Sequence, residues 1–180
     1  MGTGHLHFED WVASRPTITD NQIAHENPRF YEVPRKLARR FIGREDVLSN
    51  IDDYFSNTDV PSPKALILHA LGGQGKSQIA LKYCERSRES HQAIFWINAS
   101  SKMTTTEGFV RIAAILDQSA ASGLRDSDQK IKHVLELLEN WTARWILIFD
   151  NHDTPEAFDL NEFFPRCRSA HLKVPLPKHD

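Results

Sequence analysis

A short glycine-rich segment places the strongest limit on what this chain of 180 residues can fold into. Three of its eight glycines lie within residues 72–75, directly before Lys76 and Ser77. The segment follows a nearly continuous apolar run at 65–70 and precedes a helical pattern over 76–86. A short apolar run bounded by turn residues is typical of a strand buried on both faces of a parallel sheet. The segment therefore predicts a strand, a tight glycine turn and a helix, in that order.

Further apolar runs and amphipathic patterns extend this unit into a larger fold. Strands are predicted over 93–98 and 145–149, helices over 45–55, 104–117 and 128–139, and a small, polar loop over 119–128. Strands that alternate with helices predict an α/β fold, in which helices cover both faces of a parallel sheet. The length gives one domain at roughly 150 residues per domain.

Charge and composition exclude several classes of protein. Lys and Arg together number 22 and Asp and Glu 24, so the chain lacks the basic excess of a nucleic-acid-binding protein. No apolar run approaches the ~20 residues of a membrane span, and the N-terminus shows no signal-peptide core. Two cysteines cannot form a disulfide scaffold. We therefore predict a cytoplasmic protein with neither a nucleic-acid nor a membrane partner.

The glycine segment also carries a chemical signature. Residues 70–77 match the phosphate-loop pattern G-x-x-x-x-G-K-[ST] at its last three positions, with Ala70 at the first. Glycine lets the backbone turn its N–H groups toward a phosphate, and the following helix adds free N–H groups of its own. Lys76 would reach the β- and γ-phosphates, and the Ser77 hydroxyl would bind Mg²⁺. The alternative is a structural glycine turn followed by an ordinary lysine, but the G-K-S triplet and its position favour phosphate binding.

A carboxylate at the end of the third apolar run could complete the metal site. Asp150 follows the run 145–149, and ligands of open α/β sheets bind at the carboxyl ends of the strands. Asp150 could instead cap the next turn. Asn151 follows it, and because an amide cannot act as a base, we predict slow or absent hydrolysis. Asp150 and Asn151 are the predicted catalytic positions, and Ser77 and Asp150 the predicted metal ligands.

Four sequence blocks, taken in order, are similar to those of one protein family. They are F-I-G-R-E at 41–45, the strand and phosphate loop at 68–80, F-W-I at 95–97, and F-D-N-H-D at 149–153. Together they resemble the NB-ARC domain of STAND-class P-loop NTPases, notably the fungal NOD-like receptors. The resemblance covers about residues 29–165 and is far more specific than a phosphate loop alone.

The resemblance implies a switch between ADP-bound and ATP-bound states, with Mg²⁺, and self-association of the ATP state in a full-length protein. It also implies that Ile42 and Arg44 lie against the adenosine, although by themselves they would be an apolar residue preceding a helix and a solvated arginine. The predicted cofactor-binding residues are Ile42, Arg44, Gly72, Gly73, Gln74, Gly75, Lys76, Ser77 and Gln78.

The ends of the chain depart from the family pattern. Residues 1–40 contain three prolines and no sustained period, which predicts a linker or arm before a nucleotide-binding domain at 41–165. The family's next strand, which carries a sensor arginine and lies between the phosphate-loop strand and the Asp150 strand, is not evident. Residues 166–180 are a divergent tail. Residues 171–176 could fill the gap, but Pro175, Pro177 and the short apolar run make them a poor strand, so we expect an incomplete sheet. A catalytic P-loop ATPase or kinase, and a truncated, non-functional fragment, remain as alternative functions.

Overall fold

The computed structural model describes residues 30–35, 41–57, 64–68, 73–166 and 170–175. In chain order they form β1 (Phe30–Glu32), α1 (Glu45–Ser56), β2 (Lys64–Ile67), α2 (Lys76–Ser87), β3 (Ala93–Asn98), α3 (Lys102–Leu116), α4 (Gln118–Gly123), α5 (Ser127–Glu139), β4 (Trp145–His152), a 3₁₀ helix (Leu160–Phe163) and β5 (Ala170–Pro175). The alternation of strands and helices agrees with the pattern of the sequence. The predicted helices at 45–55, 76–86, 104–117 and 128–139 are each confirmed to within two residues at either end.

The strands form one parallel sheet in the order β1-β3-β4-β5-β2. The pairing of β3 with β4 is regular from Ala93 opposite Trp145 to Asn98 opposite Asp150. Because all five strands run in the same direction, their carboxyl ends meet at one edge of the sheet. The fold is therefore α/β, with a parallel sheet flanked by helices.

Each face of the sheet carries its own hydrophobic core. Phe95, Ile97, Leu147 and Phe149 point to one face, where they pack with α3, α5 and the 3₁₀ helix. The alternate residues of β3 and β4 point to the other face, where they pack with α1 and α2: Ile94, Trp96, Ile146 and Ile148. Because side chains alternate between the faces and both faces are covered, residues 93–97 and 145–149 must all be apolar, which explains their unbroken apolar runs.

Strand β1 lies within the segment predicted to be a linker or arm. Phe30–Glu32 pairs with Ala93–Phe95 of β3, and the Phe30 ring lies 6.4 Å from that of Phe95 and 5.9 Å from that of Trp141. The prediction is therefore wrong at these three residues. A three-residue strand has no measurable period of its own, and its partners lie far along the chain.

Strand β5 lies within the segment predicted to be a divergent tail. Its backbone pairs with β2 on one side and with β4 on the other, so it fills the position that was expected to stay empty. The expectation of a gap in the middle of the sheet is therefore wrong. Pro175 ends the strand beside an irregularity in β4, and such positions tolerate the missing N–H of proline.

The polar segment predicted as a loop over 119–128 contains helical residues as well. Helix α4 occupies Gln118–Gly123, and α5 begins at Ser127 after Asp126, whose side chain accepts from the Gln129 N–H. The small residue Ala121 is 6% exposed and joins the core under α3 and α5, which favours a helical turn over a solvated loop. Among the described residues, every helix is too short or too polar to reach across a lipid bilayer.

Candidate functional site

The glycine turn leads into α2 with the backbone geometry that the pattern requires. Gly73 has a φ of 77° and Gly75 a φ of 81°, in the left-handed region that glycine adopts without steric cost. Gly75 is also the N-cap of α2, and no side chain caps this helix end in the described part of the chain. The first N–H groups of α2 and its positive dipole end can therefore bind an anion. Gly72 lies outside the described residues, as does Ala70.

The predicted metal ligands are brought together from two distant parts of the chain. The Ser77 hydroxyl, in the first turn of α2, donates a 2.8 Å hydrogen bond to Oδ1 of Asp150 in β4. Asp150 is only 9% exposed. Burial raises the pKa of this carboxyl, while the hydrogen bond from Ser77 and the positive charge of Lys76 oppose the shift. A polar pair beside the free end of α2 is thus held partly out of water.

These two oxygen ligands fit a magnesium ion that arrives with a phosphate group. Mg²⁺ prefers hard oxygen ligands and is usually held by one or two carboxylates together with substrate phosphates and water. The described residues contain no group of three or more His, Cys, Asp or Glu side chains able to hold a metal ion. Ser77 and Asp150 could hold Mg²⁺ together with oxygen ligands from a bound nucleotide and from water.

A β-bulge follows Asp150 directly. From Phe149 to His152, β4 advances one residue more than β5 does from Lys173 to Pro175, so the pairing shifts at this point. Asn151 has a φ of 64° and lies at the irregularity. Bulges next to functional sites commonly redirect a side chain. Asn151 thus lies at a local distortion of β4 that the sequence did not indicate.

The bulge brings Asn151 to a second amide at the carboxyl edge of the sheet. Its Nδ2 lies 3.5 Å from Oδ1 of Asn98, the last residue of β3, which also accepts from the Ser100 N–H at 3.2 Å. Asn98 pairs with Asp150 across the two strands. Sequence reasoning missed Asn98, although it shows the signal that identified Asp150: a polar residue immediately after a buried apolar strand.

The two residues assigned to adenosine form an exposed turn before α1. Ile42 is 84% exposed, and Gly43 and Arg44 have φ values of 79° and 64°. A left-handed backbone at arginine is uncommon and costs free energy. The main-chain oxygen of Arg44 accepts a hydrogen bond from the Leu48 N–H at 3.0 Å, at the start of α1. Gln74 is exposed, and Lys76, Ser77 and Gln78 are half-buried.

Helix α1 is nevertheless attached to both elements that flank the glycine turn. Glu45 at its start forms an ion pair with Arg86 of α2. Lys64, the first residue of β2, donates hydrogen bonds to main-chain oxygens at the end of α1. Sequence reasoning missed Lys64, whose only signal is a charged residue at the start of an apolar run.

Comparison with known proteins gives a relative at low identity. No protein-family model matches the chain. It is similar to a nucleotide-binding leucine-rich repeat (NLR)-like protein of Hyaloscypha variabilis, with 26% identity over 147 residues that cover 79% of this chain. The chain spans 14% of the length of that relative.

Proposed function

We propose that this chain binds ADP or ATP with Mg²⁺ and serves as the nucleotide-dependent switch of a NOD-like signalling NTPase. The observation that carries the proposal is the hydrogen bond between Ser77 and Asp150 at the N-terminal end of α2. The name of the relative, which describes a nucleotide-binding protein, supports the same function. So does β5, because it fills the gap in the sheet on which the fragment alternative rested.

Different residues of the site would bind the phosphates, the Mg²⁺ ion and the nucleoside. The backbone N–H groups after Gly73 and the first turn of α2 would hold phosphate oxygens, and the Lys76 ammonium would add a positive charge. Ser77 and Asp150 would hold Mg²⁺, which when bound neutralises phosphate charge. Ile42 and Arg44 would contact the nucleoside.

The same site favours slow rather than rapid hydrolysis of ATP. A general base must accept a proton from the attacking water, and Asn151 offers an amide where a hydrolytic enzyme needs a carboxylate. Its neighbour Asn98 is a second amide. A bound nucleotide would therefore persist, which suits a switch whose state depends on whether ADP or ATP is bound. This argument disfavours the alternative of a catalytic ATPase or kinase.

Binding of fluorescent ADP and ATP in the presence of Mg²⁺ tests the proposal. We expect Lys76→Ala to weaken binding of both nucleotides at least tenfold, because a charge-assisted contact to phosphate contributes about 1.5–3 kcal/mol. Lys82→Ala is the matched control, since Lys82 lies on the same helix in an exposed ion pair with Glu85. We expect the control to bind within twofold of the wild-type chain.

Two further measurements decide between a switch and an enzyme. Phosphate release should stay below one turnover per minute, and sustained faster release would favour a catalytic ATPase instead. Nucleotide at 1,000 times its Kd should stabilise the fold by about 4 kcal/mol in thermal unfolding. A wild-type chain that is folded by circular dichroism and binds neither nucleotide would overturn the proposal.

A further inference from the structure

A buried lysine joins the strand that leads to the phosphate loop to the end of α1. Lys64, the first residue of β2, is only 8% exposed. Its Nζ donates a 2.8 Å hydrogen bond to the main-chain oxygen of Phe55 and a second to that of Asn57, and it lies 3.5 Å from that of Tyr54. Three ammonium protons therefore face three carbonyl groups of one helix end.

The last turn of α1 needs such a partner. The last four carbonyl groups of a helix have no intrahelical donor, and they carry the negative end of the helix dipole. The last turn of α1 contains no basic residue of its own. Since a buried ammonium is costly unless it is hydrogen-bonded, Lys64 and the helix end each compensate for the other.

A second hydrogen bond runs in the opposite direction. The Tyr54 hydroxyl of α1 donates to the main-chain oxygen of Ala65 in β2 at 2.9 Å. The helix also packs on α2 through Leu48 and Ile51, and the Phe55 ring lies 6.1 Å from that of Tyr83. Helix α1 is thus fixed both to the strand before the phosphate loop and to the helix after it.

The other end of α1 carries the exposed turn of Ile42, Gly43 and Arg44. A twelve-residue helix is about 18 Å long and moves as a rigid unit, so restraint at one end fixes the position of the other. The turn presents an apolar side chain that is 84% exposed on a backbone with two consecutive left-handed residues. Strained, exposed segments of this kind are often ligand contacts.

We infer that Lys64 is a positioning residue that fixes the Ile42–Arg44 turn relative to the phosphate loop, and thereby lets the nucleoside half of the ligand contribute to affinity. This inference rests on the proposed function. It assigns the phosphates and the nucleoside to two elements, and it makes the contact between β2 and α1 the link between them. Loss of Lys64 should therefore affect the two halves of the ligand differently.

Calorimetric titration with ADP and with inorganic pyrophosphate separates the two halves. We expect Lys64→Met, which keeps the buried stem and removes the charge, to weaken ADP binding about tenfold and to leave pyrophosphate binding within twofold. Lys64→Arg should bind ADP like the wild type, because it keeps the charge and the N–H donors. Lys82→Met is the matched control on α2 and should change neither affinity.

A general loss of structure would lower both affinities together, so the ratio of the two Kd values reports positioning rather than stability. If Lys64→Met does not fold, Tyr54→Phe removes one hydroxyl from the same junction and should weaken ADP binding about threefold with pyrophosphate unchanged. A folded Lys64→Met variant with unchanged ADP affinity would overturn the inference. So would a wild-type chain that binds pyrophosphate as tightly as ADP, although phosphate binding would then stand. A wild-type chain that binds neither ligand would remove the proposed function as well.

Discussion

Asn151 has a left-handed backbone conformation and a neutral amide side chain. A carboxylate at the same position could act as a general base in hydrolysis. Its φ of 64° lies in the left-handed region, which Asn and Asp tolerate better than most residues. It follows Asp150 at the bulge, and its amide lies beside that of Asn98. A substitution by Asp therefore changes the charge of this side chain while it keeps the backbone conformation.

We expect Asn151→Asp to raise the rate of ATP hydrolysis at least tenfold, because a positioned general base commonly contributes 10²–10⁴-fold. Asn151→Gly is the matched control: it tolerates the left-handed backbone but supplies no base. Its rate should equal that of the wild type. The measurement is phosphate release under single-turnover conditions with Mg²⁺ and saturating ATP. Equal rates for the Asp variant and the wild type would contradict the assignment of slow hydrolysis to the amide.

His91, in the turn between α2 and β3, gives the fold a dependence on pH. Its ring is 6% exposed, and Nδ1 lies 3.1 Å from the main-chain oxygen of Ser87. A carbonyl oxygen can only accept, so this contact is a hydrogen bond when Nδ1 carries the proton of the neutral ring, and the Ser90 hydroxyl lies 3.0 Å from the same nitrogen. Burial lowers the pKa of His91 to about 4, against the hydrogen bond to Ser87 and with a contribution from the charge of Arg144.

Between pH 6.5 and 4 the unfolded chain therefore binds a proton at His91 that the folded chain does not. The stability from neutral His91 is fully present above pH 6.5 and decreases as the pH falls toward 4. We expect urea unfolding to show a loss of about 1–2 kcal/mol between pH 7 and pH 5 that is absent from His91→Asn. Asn keeps a donor near the Nδ1 position and does not titrate. The same pH dependence in both proteins would contradict this role of His91.

At the scale of single elements, α3 and β3 meet at a glycine. A Cβ added to Gly108 of α3 would lie 2.9 Å from Cγ2 of Ile97 and 3.2 Å from its Cγ1. Ile97 is fully buried, and a β-branched side chain in a strand has few alternative rotamers. The absence of a side chain at this position therefore lets the helix lie close to the sheet.

We expect Gly108→Ala to destabilise the fold by about 1–3 kcal/mol, because overpacking outweighs the gain of about 1 kcal/mol in helix propensity. The double variant with Ile97→Ala should lose less stability than the sum of the two single variants, because the clash is relieved. Chemical denaturation of the four proteins measures this coupling. Additive effects would show that the two residues are not in steric conflict.

The strands and helices that were predicted from the sequence have a clear local pattern of apolar residues, and the strands that were missed do not. Residues 93–97 of β3 and 145–149 of β4 are apolar at every position because both faces are covered, and the amphipathic helices repeat their apolar residues at helical spacing. Strand β1 has only three residues, β5 contains no unbroken apolar run, and both pair with strands elsewhere in the chain. A local sequence pattern does not show whether a place between or beside distant strands needs to be filled. These strands therefore cannot be identified from their own residues.

The same distinction holds within the candidate site. The phosphate loop and Asp150 follow from local motifs, because the chemistry of phosphate and magnesium requires particular residue types at fixed spacing. Lys64 and Asn98 act through contacts with α1 and β4, respectively. Their neighbours in the sequence do not identify these contacts. The bulge at Asn151 likewise depends on how β4 pairs with β5.

At the scale of the whole molecule, one sheet separates two cores of different composition. The side of α3 and α5 is the richer of the two in aromatic rings, and there Phe109 contacts Phe149 and Phe163 at centroid distances of 6.3 and 5.5 Å. Aliphatic side chains predominate on the side of α1 and α2, where the phosphate loop also begins. The candidate site therefore lies on the face covered by α1 and α2 and at the carboxyl edge of the sheet. The face covered by α3 and α5 supports the sheet from the opposite side.

The order of the strands also sets the timing of assembly during synthesis. Strand β2 lies at one end of the sheet and pairs with β5, which leaves the ribosome roughly a hundred residues later. At 5–20 residues per second, this separation corresponds to about 5–20 s of translation. Strands β3 and β4 can pair before β5 has been made, whereas the strand that leads to the phosphate loop has to wait for it. A nascent chain thus completes the sheet beside the glycine turn last, at a time when β3 and β4 can already have paired.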